Sequence, residues 1–359
     1  MTKRRMKKMF KRAIHLPMGW SFLKYLNNKI HSYTLAKNKS LEVAHPSTIM
    51  IEVTNHCNLR CLVCPRETVH GKQMDKGYMN FGKLKMIVDQ AYPYIDSIGL
   101  TGLGETFLYK DIVEAVKYIK NKSKGIIVSC SINAHLTNCV EIVSQLVGLI
   151  DTIQISMDGL DDTYNQIRIG GDFNFFKENL SKISMLANNT DTHVMLNVVL
   201  VKENYHQMAA MVDFAAKMKI HYLNMRPINL SADTKEDVSY NQFFFSDEFK
   251  RELNAAKAAA KKYNDLEFTC SELKTGGGFN TCIYPWNYFY ITWDGYLPLC
   301  CGQPFPKELN FGNVFNDGLM ASLNSEAYQE FRKLWYANKT PEFCKNCTKI
   351  FFGASISDN

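Results

Sequence analysis

Nowhere in the 359 residues do about 18 apolar residues run together, so no membrane-spanning helix is expected. Acids are nearly missing from the start. Residues 1–45 hold eleven Lys/Arg and a single acid, Glu42, a local balance of +10. The remainder then carries −3 of the net +7, which gives no support to a nucleic-acid enzyme with a basic face on its main domain. A compact apolar stretch after the basic start is also missing. Pro17, Lys24 and Asn27–Asn28 interrupt it, so a cleaved signal peptide is not expected. The nine histidines form no HxH or HxxxH pair, which removes the usual helical metal-ligand spacing and leaves His56 and His135 as lone residues. No low-complexity tract occurs. At 46% hydrophobic and 21% charged residues, the chain is an ordinary globular sequence of about two domains.

What is present starts with a basic extension, 1–45. Phe22, Leu26, Ile30 and Tyr33 follow helical spacing, with Trp20 and Leu23 beside them and Lys24, Asn28 and Lys29 between. Two readings stay open: an amphipathic helix for an anionic membrane or protein partner, and a helix packed on the protein's own body. From Thr48 strands and helices alternate. Six strands, starting near Thr48, Asp96, Gly125, Asp151, His193 and Ile220, predict a parallel α/β sheet over 46–230 that is too short for an eight-fold barrel. Residues 231–275 read as a linker and a helix. Residues 276–359 read as a small Cys-rich module, with a hairpin expected around the Asp294-Gly295 turn.

The eleven cysteines carry the chemistry. Cys57, Cys61 and Cys64 form CxxxCxxC directly after the first strand, at the sheet edge where α/β barrels build active sites. Three thiolates with no local fourth leave one iron of a four-iron cluster open. A zinc site completed by His56, or three unrelated buried cysteines, are the plain alternatives. Cys282, Cys300, Cys344 and Cys347 form a second set, and no cysteine follows Cys347. Spacing alone admits a four-cysteine zinc ribbon there, and Cys301 competes with Cys300 as ligand. Cys130 and Cys139 read as core, and Cys270 has no assigned role.

The CxxxCxxC after a first strand resembles the signature of the radical S-adenosylmethionine (radical SAM) enzymes. The resemblance implies a partial (β/α)6 TIM-like barrel. It also implies SAM on the open iron of a [4Fe-4S] cluster held by Cys57, Cys61 and Cys64, and a 5′-deoxyadenosyl radical that abstracts hydrogen from substrate. Val63 stands where an aromatic residue is often found. Further segments resemble the family's on successive strand ends. They imply SAM contacts from Gly104 and Glu105, Asn133, Ser156 and Asp158, Arg168, and Asn197 and Val199. The C-terminal set resembles a SPASM/twitch module, which implies an auxiliary [4Fe-4S] cluster on Cys282, Cys300, Cys344 and Cys347. By resemblance to a single-auxiliary-cluster dehydrogenase of cyclitols, the expected reaction is oxidation of an alcohol on a sugar or cyclitol. Modification of a ribosomally made peptide is the alternative. A non-catalytic electron-transfer or metal-binding protein is the alternative of another class. The expected electron donor is a flavodoxin or ferredoxin, and the expected location is cytoplasmic, with residues 1–45 as a candidate membrane-surface or protein contact.

Overall fold

Along each inner strand, every second side chain is a buried aliphatic. In β5 (His193–Leu200) these are Val194, Leu196, Val198 and Leu200, while His193, Met195, Asn197 and Val199 stay partly exposed. That alternation gives the sheet one packed face and one open face. The computed structural model describes residues 14–230, 238–273, 276, 278–348, 350 and 354–355. The basic run at 1–13 lies outside the described residues, as does 231–237 of the expected linker.

The first helix, α1, spans Trp20–Lys37. Six βα-type strands follow: β1 (Thr48–Ile51), β2 (Ser97–Leu100), β3 (Ile127–Ile132), β4 (Thr152–Ser156), β5 and β6 (Tyr222–Pro227). Their outer helices are α2 (Phe81–Ala91), α3 (Ile112–Lys122), α4 (Cys139–Leu146), a short α5 (Asp161–Ile167), α6 (Phe173–Ala187) and α7 (Met208–Lys217). Each is made by an apolar stripe with a polar start. In α2, Leu84, Ile87, Val88 and Ala91 point inward at helical spacing, and Asn80 caps the Gly82 and Lys83 N–H groups. Asp172 caps α6 in the same way through Phe175.

The parallel sheet has eight strands, two more than the alternation predicts. After α8 (Asp247–Ala260), β7 (Glu267–Cys270) pairs parallel with β6. At the other edge, β8 (Phe289–Ile291) pairs parallel with β1. The strand order is β7-β6-β5-β4-β3-β2-β1-β8, with no ladder joining β7 to β8, so the barrel stays open on one side. The expected hairpin is corrected by β8. The Asp294-Gly295 turn forms, but its two arms do not make one sheet. β8 takes the free edge of β1, and β9 (Tyr296–Pro298) pairs antiparallel with β10 (Asn310–Asn313). An unpaired parallel edge left by β1 is the stronger template.

Candidate active site

The loop carrying Cys57, Cys61 and Cys64 leaves β1 and is clamped from three neighbouring strand ends. After β2, the Glu105 N–H donates to His56 O at 2.8 Å. Gly104 packs so closely that a Cβ there would lie 2.4 Å from Thr54 O and 2.5 Å from His56 O, so only glycine fits. After β3, the Asn133 amide donates to Asn58 Oδ1 at 2.7 Å, with Cys57 Sγ 3.8 Å away, and Asn58 donates to His135 O. After α5, the Arg60 and Leu62 N–H groups bond Ile169 O and Ile167 O, which brings Arg168 beside Cys61. Arg66 closes the loop by donating to Leu59 O.

The three thiols sense one another electrostatically. Burial pushes Cys64 up to about 11 and raises Cys61 against the nearby Arg168 charge. Bound metal replaces such thiol protons, so burial here is compatible with cluster ligation. Among the described residues no three His, Cys, Asp or Glu side chains close on a single-ion geometry, and a cluster whose thiolates bind different irons does not ask for one.

Of the residues expected around SAM, most converge at this point. Arg168 is buried and lies 3.2 Å from Asp158, and it also donates to the Ser156 carbonyl. Burial opposes its charge, but Asp158 and Cys61 more than offset that. Asp158 in turn accepts the Val199 N–H at 2.8 Å. Glu105 accepts the Asn133 and Phe107 N–H groups. The two histidines near the site have structural partners. His56 stacks on Tyr78 at 4.7 Å, and His135 accepts the Asp172 N–H.

Asn197 stands apart. It belongs to a polar ladder across the open face, in which Asn197 donates to Gln154, Asn224 donates to Asn197, and Thr269 donates to Asn224. Tyr222 shares a hydrogen bond with Thr269. These residues sit on β4, β5, β6 and β7, and apart from Asn197 no motif in the sequence points to them. Only strand register, which puts Asn197 opposite Asn224 and Asn224 opposite Thr269, could have found them.

Glu52 is a second residue without a sequence signal. It is fully buried at the end of β1, accepts the Leu103 N–H at 2.8 Å and accepts the Tyr290 hydroxyl from β8. It therefore ties the Gly102–Glu105 segment to the C-terminal module. Burial pushes both Glu52 and Glu105 up to about 7 from an ordinary 4.5. Between those values the folded chain holds protons that the unfolded chain releases, so each group costs stability as pH rises through the window and nothing further above it. Glu52→Gln removes one such group. Its thermal midpoint should gain on wild type by about 2–3 °C between pH 5.5 and 7.5. Midpoint profiles that stay parallel would show that Glu52 does not titrate there.

In the C-terminal module, Cys300 interacts electrostatically with Cys344 and Cys347, and Cys344 with Cys282. Gln303 bridges the Cys300 turn to Phe343 O at 2.8 Å, beside Cys344. Trp335, on α9 (Glu326–Tyr336), donates to Cys282 O at 2.7 Å. Cys301 has Tyr288 as a hydrogen-bond partner, whereas Cys300 is the one that senses Cys344 and Cys347, which favours Cys300 as the member of the set. Cys130 and Cys139 are core residues, as expected, and Cys270 is buried at the end of β7.

Comparison with known proteins agrees with this geometry. A model of the radical SAM superfamily matches residues 51–215, and one of an iron–sulfur cluster-binding (SPASM) domain matches 282–348. The chain is 25% identical over 319 residues to the tungsten-containing aldehyde ferredoxin oxidoreductase cofactor-modifying protein of Pyrococcus furiosus, covering 84% of this chain and 86% of that one. It is 24% identical over 345 residues to the antilisterial bacteriocin subtilosin biosynthesis protein AlbA of Bacillus subtilis, covering 90% and 69%. Streptococcus suis SuiB bound to S-adenosylmethionine superposes with a TM-score of 0.66 at 17% identity, over 92% of this chain and 77% of that one.

Proposed function

Because the chain is a radical SAM superfamily enzyme with a C-terminal SPASM module, we propose that its substrate is a ribosomally made peptide, modified by hydrogen abstraction inside the open barrel. The observation that carries this reading is likeness along the whole chain, not in the barrel alone. AlbA, named for biosynthesis of a bacteriocin, matches 90% of it. SuiB, which shares the fold, has also been solved bound to its precursor peptide SuiA. By its resemblance to a single-auxiliary-cluster cyclitol dehydrogenase, the cysteine layout suggests oxidation of a sugar or cyclitol alcohol; AlbA and SuiB, which span the chain, favour the peptide.

When bound, the SAM-ligated cluster supplies a 5′-deoxyadenosyl radical that takes a hydrogen atom from substrate. Cys57, Cys61 and Cys64 would hold that cluster. Gly104 and Glu105 would hold the cysteine loop in place beside the methionyl end of SAM. The Arg168–Asp158 pair fixes the floor beneath Cys61. Cys282, Cys300, Cys344 and Cys347 would hold an auxiliary cluster with every thiolate position filled, which suits electron transfer better than substrate binding. The ladder from Gln154 to Thr269 offers amide and hydroxyl groups on the open face. A flavodoxin or ferredoxin would deliver the electron.

The test is anaerobic. Cluster-loaded enzyme, SAM and reductant are incubated with synthetic peptides encoded beside its gene, and with a panel of sugars and cyclitols. A peptide that raises 5′-deoxyadenosine output and changes mass supports the reading. Stimulation and oxidation confined to the sugar panel overturns it.

A further inference from the structure

We propose that the outer face of α1 docks the enzyme on an anionic lipid bilayer. Trp20, Leu23, Leu26, Ile30 and Tyr33 recur along α1 at steps of three and four, so they form one stripe. All five are exposed, from 44% at Leu26 to 82% at Trp20, and Met18 just before the helix is 87% exposed. A surface helix normally buries such a stripe against its own protein. Here the opposite face is the one held. The Tyr25 hydroxyl donates to Asp96 at 3.0 Å, and Lys29 pairs with the same carboxylate at 2.6 Å. Asn28 exchanges two hydrogen bonds with the backbone of His45. Turning the stripe inward would break all of these contacts, so its exposure is built into the docking of α1. A contiguous apolar patch of this kind marks an interaction surface.

Charge selects the partner. Besides the Asp96-paired Lys29, Lys24 and Lys37 lie on α1, which holds no acid, and seven Lys/Arg without an acid precede it in residues 1–13. Two copies would each bring that excess to a shared interface, which opposes self-association through the stripe. An apolar stripe beside a polybasic segment is the pair of signals that anionic bilayers retain, and Trp20 and Tyr33 suit the headgroup level. No described helix is long and apolar enough to cross a membrane, so α1 would lie on the surface. Its anchors, His45, Asp96 and the Ser123–Gly125 turn met by His15, all precede strands. The helix therefore sits at the N-terminal ends of the strands, opposite the cysteine loop, and docking leaves the barrel mouth facing away from the bilayer.

The test uses full-length, cluster-loaded enzyme in sedimentation with vesicles of phosphatidylcholine, with and without about 30% phosphatidylglycerol. Binding should favour the anionic vesicles at least about tenfold and fall by a similar factor when salt rises from about 0.1 to 0.5 M. Leu23→Glu/Ile30→Glu, at two exposed positions, should lower binding roughly tenfold while leaving far-UV circular dichroism and 5′-deoxyadenosine formation unchanged. Failure to bind anionic vesicles overturns the proposal, as does binding that the double variant does not weaken. A concentration-dependent dimer abolished by that variant, without vesicle binding, would overturn it too and assign the stripe to a second copy.

Discussion

Cys57→Ala should reduce 5′-deoxyadenosine formation to background in a protein that still folds, whereas Cys344→Ala should retain a measurable part of it. The asymmetry follows from position. The Cys57 loop is clamped by Gly104, Glu105, Asn133 and the Arg168 segment, the groups that also frame the space for SAM. A three-cysteine set has no spare thiol, because the next cysteines, Cys130 and Cys139, are buried in the core. The Cys344 set sits in the C-terminal module, around Cys282, Cys300 and Cys347. Loss of its cluster removes an electron acceptor without touching the loop that meets SAM. Iron content separates the cases: about eight irons per wild-type chain and about four in each variant. Cys139→Ala, a core change outside both sets, should keep the full iron content. Background activity in Cys344→Ala at half the wild-type iron would mean that both clusters are needed for SAM cleavage. Four irons and one zinc in wild type would replace the auxiliary cluster with a zinc ribbon.

The cysteine chemistry was legible in the sequence because its spacing is local. Within CxxxCxxC the chain itself sets which thiols can meet, and the same holds for Cys344 and Cys347. The strand alternation was legible for a similar reason, since each βα unit prints its own periodicity. What the sequence hid were contacts between distant segments. Glu52 and Tyr290 are 238 residues apart, and their meeting depends on β8 choosing the edge of β1. That choice also explains why the Asp294-Gly295 turn did not yield a simple hairpin. The polar ladder depends on register across four strands, and no one segment of sequence carries register. For α1 the period was readable but the outward-facing side was not. Apolar spacing implies an inward stripe, and here three polar contacts at Tyr25, Asn28 and Lys29 decide the rotation instead.

Lys120→Met should be among the most destabilising single changes available, at about 3–5 kcal/mol, with little effect on SAM cleavage measured well below the melting range. Lys120 lies in the last turn of α3 with its ammonium buried between Asp151 and the Ile126 carbonyl, each 2.5 Å away. Asp151 directly precedes β4 and also accepts the Val128 N–H at 2.8 Å. The pair thus joins an outer helix to the start of two central strands, at the end of the barrel opposite the cysteine loop, where side chains serve stability rather than chemistry. Methionine fills most of the lysine volume, so packing loss is small. The cost comes from leaving the Asp151 carboxylate in a nearly dry site without its countercharge. For a chain of this size that corresponds to a fall in thermal midpoint of roughly 5 °C. Adding Asp151→Asn to Lys120→Met removes the stranded charge and should recover a large share of the loss, because the amide oxygen that replaces the carboxylate can still accept from Val128. By contrast Lys117→Met, which breaks an exposed pair with Glu114 on the same helix, should change stability by no more than about 0.5 kcal/mol. If the single and double variants at Lys120 and Asp151 melted together, the stranded carboxylate would not be the cause, and the loss would have to be assigned to the bond from Lys120 to Ile126 O.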